Sequence, residues 1–156
     1  MSGMTAEAYR TALSRAVERR AAEIASRLGA VLHDLPQQAT GFDIGIHPDQ
    51  DQEGFVSVWV HAVGPDSHVI DRAIADHRLL FDISMDGEGR MSHGLPVFEP
   101  HAERFAVGDT QVDTIAQSLR AIWTGIDGGG FDRPVHVFGG DGFGTIGRLR
   151  IHPGDR

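Results

Sequence analysis

The sequence predicts an α+β fold, with an antiparallel sheet of about five strands (two hairpins plus a central strand) packed against a long N-terminal helix and a second amphipathic helix. Apolar residues recur at helical spacing from Thr5 to His33 and again from Gln111 onward. They alternate over Gly41 to His47 and over Phe55 to Val63. The strands between the two helices follow one another without the β–α–β alternation of a doubly wound sheet. At 156 residues the chain is expected to form a single domain, residues 1–156.

In the first helix Tyr9, Leu13, Ala16, Val17, Ile24, Leu28, Val31 and Leu32 form the apolar stripe. Arg10, Arg15, Arg19, Glu23 and Arg27 take the other side, with Glu23 and Arg27 in the favourable i,i+4 order. Thr5 is placed to cap its start, Gly29 weakens its last turn, and Pro36 stops any continuation. A hairpin follows. Setting Ile44 opposite Val58 puts Phe42, Ile44, Ile46, Val56, Val58, Val60 and Ala62 on one face, with a polar, acidic loop from Pro48 to Gly54. Gly64-Pro65-Asp66 breaks the chain before a short helix expected over Ser67 to Asp76. A strand is expected over Arg78 to Met85, ended by the turn signal Asp86-Gly87.

Gly89 to Gly108 carries the weakest pattern, and a short strand at Leu95 to Phe98 is the one element it suggests. The second helix is expected from Gln111 to Thr124, with Thr110 and Asp113 in the capping spacing and a stripe through Val112, Ile115, Ala116, Leu119, Ile122, Trp123 and Ile126. Gly128 to Gly130 end it. Pro134 to Phe138 and Thr145 to His152 form the tail hairpin, in a register that sets Val135 opposite Leu149 and His136 opposite Arg148.

All 14 cationic side chains are Arg, and the chain has neither Lys nor Asn. This bias points to codon supply in a GC-rich, bacterial genome and not to phosphate recognition. A net charge of −8 repels nucleic acid and anionic lipid, so neither is an expected partner. No stretch approaches the ~18 apolar residues of a membrane span. Met1 to Arg10 lacks the basic and apolar segments of a signal peptide, so a cytoplasmic location is expected. Without cysteine there is no disulfide, thiolate nucleophile or cysteine zinc site.

Gly142-Phe-Gly144-Thr-Ile-Gly147 matches a dinucleotide fingerprint in spacing. That mechanism needs a following helix to hold the pyrophosphate and an acid ~20 residues on. Arg148 to Ile151 alternates as a strand instead, so a turn is expected and no nucleotide or other cofactor. Asp82-x-Ser84-x-Asp86-Gly87 begins like a calcium loop, but its twelfth position is His93, not a bidentate acid. Nine histidines occur without metal-ligand spacing. In the register above, His47 and His61 sit at opposite ends of the hairpin, about 20 Å apart at ~3.4 Å per residue, too far to share an ion. No metal site is expected.

Two groups remain as candidate sites. Asp43, Ser57, Trp59 and His61 share the non-core face of the first hairpin, with Asp43 opposite Trp59, unless a helix covers that face and buries the indole. His136, Arg148 and Arg150 point to one side of the tail hairpin, where arginine and the amides of the glycine-rich turn could hold a small anion, unless this is a solvated strand face.

The function expected first is a small non-enzymatic binding protein, immunity-like or accessory by analogy alone. Its partner would be another protein or a second copy in a homodimer, met by the acidic loop Asp49 to Glu53 and exposed aromatic residues. The alternative is a small enzyme or ligand binder, with His61 and Asp43 as acid–base groups in a pocket between sheet and helices. A cavity of ~300 Å³ or more with convergent His and Asp would favour the second; a filled core and a flat surface would favour the first.

Overall fold

The computed structural model describes residues 3–100, 104–126 and 130–153. Helices α1 (Ala6–Arg19) and α2 (Ala21–Asp34) precede strands β1 (Gly41–Pro48) and β2 (Val56–Val63). Then come helix α3 (Ser67–Ala73), strand β3 (Leu79–Ile83), helix α4 (Val107–Thr124) and strands β4 (Val135–Gly139) and β5 (Arg148–His152). Short 3₁₀ turns lie at Ala75–His77, Ser92–Gly94 and Gly140–Gly142.

The five strands form one sheet in the order β3-β2-β1-β4-β5. Three of its seams are antiparallel, but β1 and β4 run parallel, so the wholly antiparallel sheet expected from the sequence is corrected to a mixed one. The cause is the route of the chain. Strand β3 is antiparallel to β2 and hence parallel to β1; from there α4 carries the chain back to begin β4 beyond β1 in the same direction. Parallel strands need such a crossover, so one β–α–β unit, β3–α4–β4, does exist.

The single N-terminal helix is in fact two. The break falls at Arg20 (φ −104°, ψ 5°) and not at Gly29, which stays helical within α2. Changing direction there lets α1 pack on α4 while α2 packs beside β3. Thr5 caps α1 as expected, its hydroxyl accepting from the Ala8 amide at 3.1 Å.

Helix α4 begins at Val107, four residues earlier than expected, with Ala106 at its cap position and no side-chain cap. Asp113 does not close a capping box. Its carboxylate accepts from the Thr145 amide and hydroxyl, both at 2.8 Å, while Asp109 accepts from the Gly144 amide at 2.7 Å. The glycine-rich turn is thereby tied to the helix, and β5 starts at Arg148 instead of Thr145. Leu95 to Phe98 is loop, not strand; Leu95 and Phe98 are buried, and the Phe98 ring meets Tyr9 edge-on at 5.2 Å.

Both hairpins slide by two residues from their expected registers. Ile44 faces Val60, and His136 faces Arg150. In the first hairpin Asp49 sets the slide: its carboxylate accepts from the amides of Glu53, Gly54 and Phe55 at 3.0–3.2 Å, closing the loop one residue later than Pro48 suggested. A slide of two preserves the faces. All seven apolar residues of this hairpin are buried against Leu13, Ile24, Leu28, Ile115 and Leu119 of α1, α2 and α4.

Inside this core Gln111 donates to the Tyr9 hydroxyl at 3.0 Å and to the Gly54 carbonyl at 2.9 Å. Burial pushes the Tyr9 phenol up to about 12, against the Gln111 bond, which lowers it; Asp49 adds to the rise. The neutral phenol therefore stabilises the fold fully below the unfolded pKa of ~10, and this contribution of about 2–3 kcal/mol disappears as pH rises through the folded value. Ultraviolet titration of this single tyrosine should show no phenolate near pH 10–11 and then a rise coincident with loss of circular dichroism. A titration centred near pH 10 in the folded protein would show that the ring is not sealed.

Candidate functional site

Strand alternation sends Asp43, Gly45 and His47 of β1 to the sheet face away from α1, α2 and α4. The same face receives Ser57, Trp59 and His61 of β2, His136 and Phe138 of β4, and Arg148 and Arg150 of β5. Trp59 and Phe138 are half-buried rather than sealed under a helix. The registers arrange these residues in rows across the strands. One row is Asp82, Ser57, His47; the next is Trp59, Gly45, Phe138, Arg148; the third is His61, Asp43, His136, Arg150.

Asp43 accepts from Arg148 Nη2 at 2.9 and 3.2 Å, with His136 Nδ1 3.7 Å away. Arg148 is thus charge-compensated, and Arg150 Nε leans on the His152 carbonyl at 3.5 Å. The Gly144 and Thr145 amides, counted on for an anion in the sequence reading, already serve Asp109 and Asp113. His136 Nδ1 is buried with no hydrogen-bond partner. Burial lowers the His136 pKa, Arg148 and Arg150 lower it further, and Asp43 opposes them.

The two-residue slide has its largest effect on the histidines. His47 and His61, expected about 20 Å apart on the sequence register, touch: their Nε2 atoms are 3.0 Å from each other. Asp43 stands opposite His61, and Trp59 opposite Gly45. The two imidazoles reach toward each other along the strands over Gly45, whose missing side chain leaves the room. A Cβ there would lie 2.5 Å from His47 Nε2, 2.9 Å from His61 Nε2 and 2.9 Å from the Phe138 ring. The signal was in the sequence, since a glycine inside an alternating strand marks a close approach.

Hydrogen-bond bookkeeping fixes the protons in this pair. Arg78 donates through Nε to the Val60 carbonyl at 2.9 Å and lies over the Trp59 ring at 5.7 Å. Its Nη2 is 3.3 Å from His61 Nδ1, and a guanidinium only donates, so Nδ1 carries the lone pair. His61 then bears its proton on Nε2 and donates to His47 Nε2, which leaves the His47 proton on Nδ1. Burial lowers the pKa of His47 against the pull of Asp141. Burial also lowers that of His61, with His47 and Arg78 adding and Asp71 and Asp43 opposing.

This donor set does not suit a metal ion. A ligating imidazole usually gives its other N–H to an acceptor, whereas His61 Nδ1 faces a guanidinium donor. Among the described residues no group of three His, Asp or Glu converges as a metal site. The row Asp82, Ser57, His47 is not in the order of a hydrolytic triad either, because such chemistry needs histidine between serine and aspartate. Here Ser57 is the middle member of its row and His47 turns to His61.

His61 and Asp43 stand on the open face of the sheet, while the space between the sheet and α1, α2 and α4 is filled by Tyr9, Leu13, Ile24, Leu28, Ile44 and Ile115, all fully buried. A hollow of about 290 Å³ opens at the His47 end of the face, lined by Asp49, Phe55, Ser57, Asp82 and Ser84. Asp49 itself is turned inward to hold its loop, so of the acidic loop Asp51 stays exposed and Glu53 half-exposed.

Among the described residues no helix is long and apolar enough to cross a membrane. No curated protein and no solved structure matches the sequence. A family model described as a family of unknown function, DUF6389, matches residues 4–153, nearly the whole length. The chain therefore belongs to the DUF6389 family.

Proposed function

We propose that this protein is a non-enzymatic binding protein whose recognition surface is the open face of the sheet. The observation that carries the reading is the composition of that face: half-buried Trp59 and Phe138, Arg78 stacked on the indole, and Arg148 held by Asp43. The few residues whose truncation costs an interface about 2 kcal/mol or more are enriched in Trp, Tyr and Arg. A filled core favours surface recognition over a small-molecule pocket. Five strands at ~4.8 Å by five residues at ~3.3 Å present roughly 400 Å² in projection, against ~800 Å² per side for a standard interface. The partner, a different protein or a second copy, must therefore also touch surrounding loops. The loop carrying Asp51 and Glu53, which follows β1 just beyond His47, and the Gly140–Gly142 turn, which packs on His47, border this face.

A photoreactive phenylalanine analogue at Ser57, on this face, should give one discrete adduct in the native cell. The same analogue at exposed Arg10 of α1 should not. The Ser57 adduct should disappear with Trp59→Ala while the thermal midpoint stays within a few degrees. An adduct at twice the chain mass identifies a homodimer. Equal adducts from both positions, or none from Ser57, would refute the surface.

A further inference from the structure

We propose that the His47–His61 pair is a proton-gated seat for a single oxyanion, the carboxylate or phosphoryl group of a partner, which enters between the two rings above Gly45. The inference rests on the recognition surface proposed above and adds the chemistry of its centre.

In the closed pair every nitrogen facing the other ring is occupied. His61 Nε2–H fills the His47 Nε2 lone pair, and Arg78 fills His61 Nδ1. A proton arriving at His47 Nε2 cannot coexist with that bond, because two N–H groups would then point at each other. Protonation must part the rings. Once parted, the pair presents two N–H donors converging on one point, and Gly45 keeps that point free of side chain. An oxygen bearing negative charge accepts from both, with Arg78 behind His61 as a second positive group beside the His47 cation. His61 remains neutral throughout, since its Nδ1 lone pair stays with the guanidinium, so the cycle takes up one proton, on His47.

The surrounding charges support that count. Asp141, from the turn after β4, acts on His47 and favours its cation. Asp43 on β1 and Asp71 on α3 favour a charged His61, while His47 and Arg78 oppose it. Asp71 is also 3.6 Å from Arg78 and so is engaged there. Asp82 of β3 lies two strands from His47 in the same row, and His136 and Arg148 lie on the far side of Asp43. Burial keeps the pair neutral when nothing is bound, which makes the anion and the proton arrive together.

Calorimetric titration of the wild-type protein tests this, with sulfate as the phosphoryl probe and acetate as the carboxylate probe. Each is run at about pH 5.5 and about pH 8, in two buffers of different ionisation heat. At the acid pH at least one probe should bind with uptake of about one proton, and at the alkaline pH about tenfold or more weaker, as one linked proton requires. The tighter probe identifies the partner group. His47→Gln should abolish the uptake, and Gly45→Ala should block binding by filling the seat. The wild-type measurement stands even where a variant folds poorly. Binding without proton uptake, uptake that persists in His47→Gln, or no binding of either probe overturns the seat. A Ser57 adduct without proton-linked binding would leave the recognition surface intact and remove only the seat; the converse would remove only the surface.

Discussion

Val58→Asp is expected to leave the protein mostly insoluble, or unfolding at far lower denaturant, while Ser57→Asp one residue away remains folded. Val58 is fully buried between β1 and β3, opposite Ile46 and Phe81. A carboxylate there loses its water and gains no partner, at a cost of several kcal/mol or a forced protonation. Against a total stability of roughly 5–15 kcal/mol that is a large fraction. Ser57 points the other way, onto the open face between His47 and Asp82. An added carboxylate stays solvated there, with mild repulsion from Asp82. Soluble yield and the urea midpoint read the outcome. Equal tolerance of both substitutions would mean β2 is not half-buried; severe loss from both would mean the open face is covered.

Gly139→Ala is the second large effect, expected to destabilise by about 3 kcal/mol, at the upper end for an overpacked methyl group. The backbone of Gly139 needs no special conformation (φ −93°), so strain is not the cause. The Phe143 carbonyl lies where its Cβ would stand, and a Val112 methyl group is 2.9 Å away on the same side. Backbone cannot swing aside as a side-chain tip can. The Gly140–Gly142 turn must shift, pulling Gly144 and Thr145 from Asp109 and Asp113. Gly142→Ala provides the contrast: it has open space but a φ of +78°, so the expected loss is only about 1 kcal/mol of backbone strain. Thermal or urea unfolding of the two variants should rank them in that order. The reverse ranking would mean the turn does not pack on β4 as described.

Much of this fold was legible in the sequence, and its losses share one physical origin. Period-two patterning identifies which face a residue occupies, and the seven apolar residues of the first hairpin all lie where alternation put them. Alternation is blind to a slide of two, which exchanges no faces. The register was decided by polar contacts outside the pattern, the Asp49 carboxylate on three amides and the Asp109 and Asp113 carboxylates on the glycine-rich turn. Those same two residues of slide separated a distant pair of histidines from a touching one.

The parallel seam was hidden for a different reason. Nothing within β1 or β4 records a partner some ninety residues away; only the path through α4 determines it. The break at Arg20 carries no proline or glycine, and the start of α4 at Ala106 carries no capping side chain, so neither left a local mark. Of the candidate residues, Asp43, Trp59, His61, His136, Arg148 and Arg150 do share one face. That His47, Gly45, Arg78 and Phe138 meet around His61 became visible only with the register.

The pairing of Arg148 with Asp43 and of Arg78 with Asp71 has a kinetic consequence. Opposite charges held within a few ångströms cancel beyond a Debye length of ~8 Å, so at neutral pH these pairs project little field into solution. In the proposed role, any long-range steering of a partner would come from the net charge of −8 and not from these two arginines. Selectivity would then reside in how slowly the complex comes apart, set by the fit around Trp59 and Phe138. Acidification adds one positive charge at His47, shortening the search for an anionic partner at the same moment that it lengthens the stay.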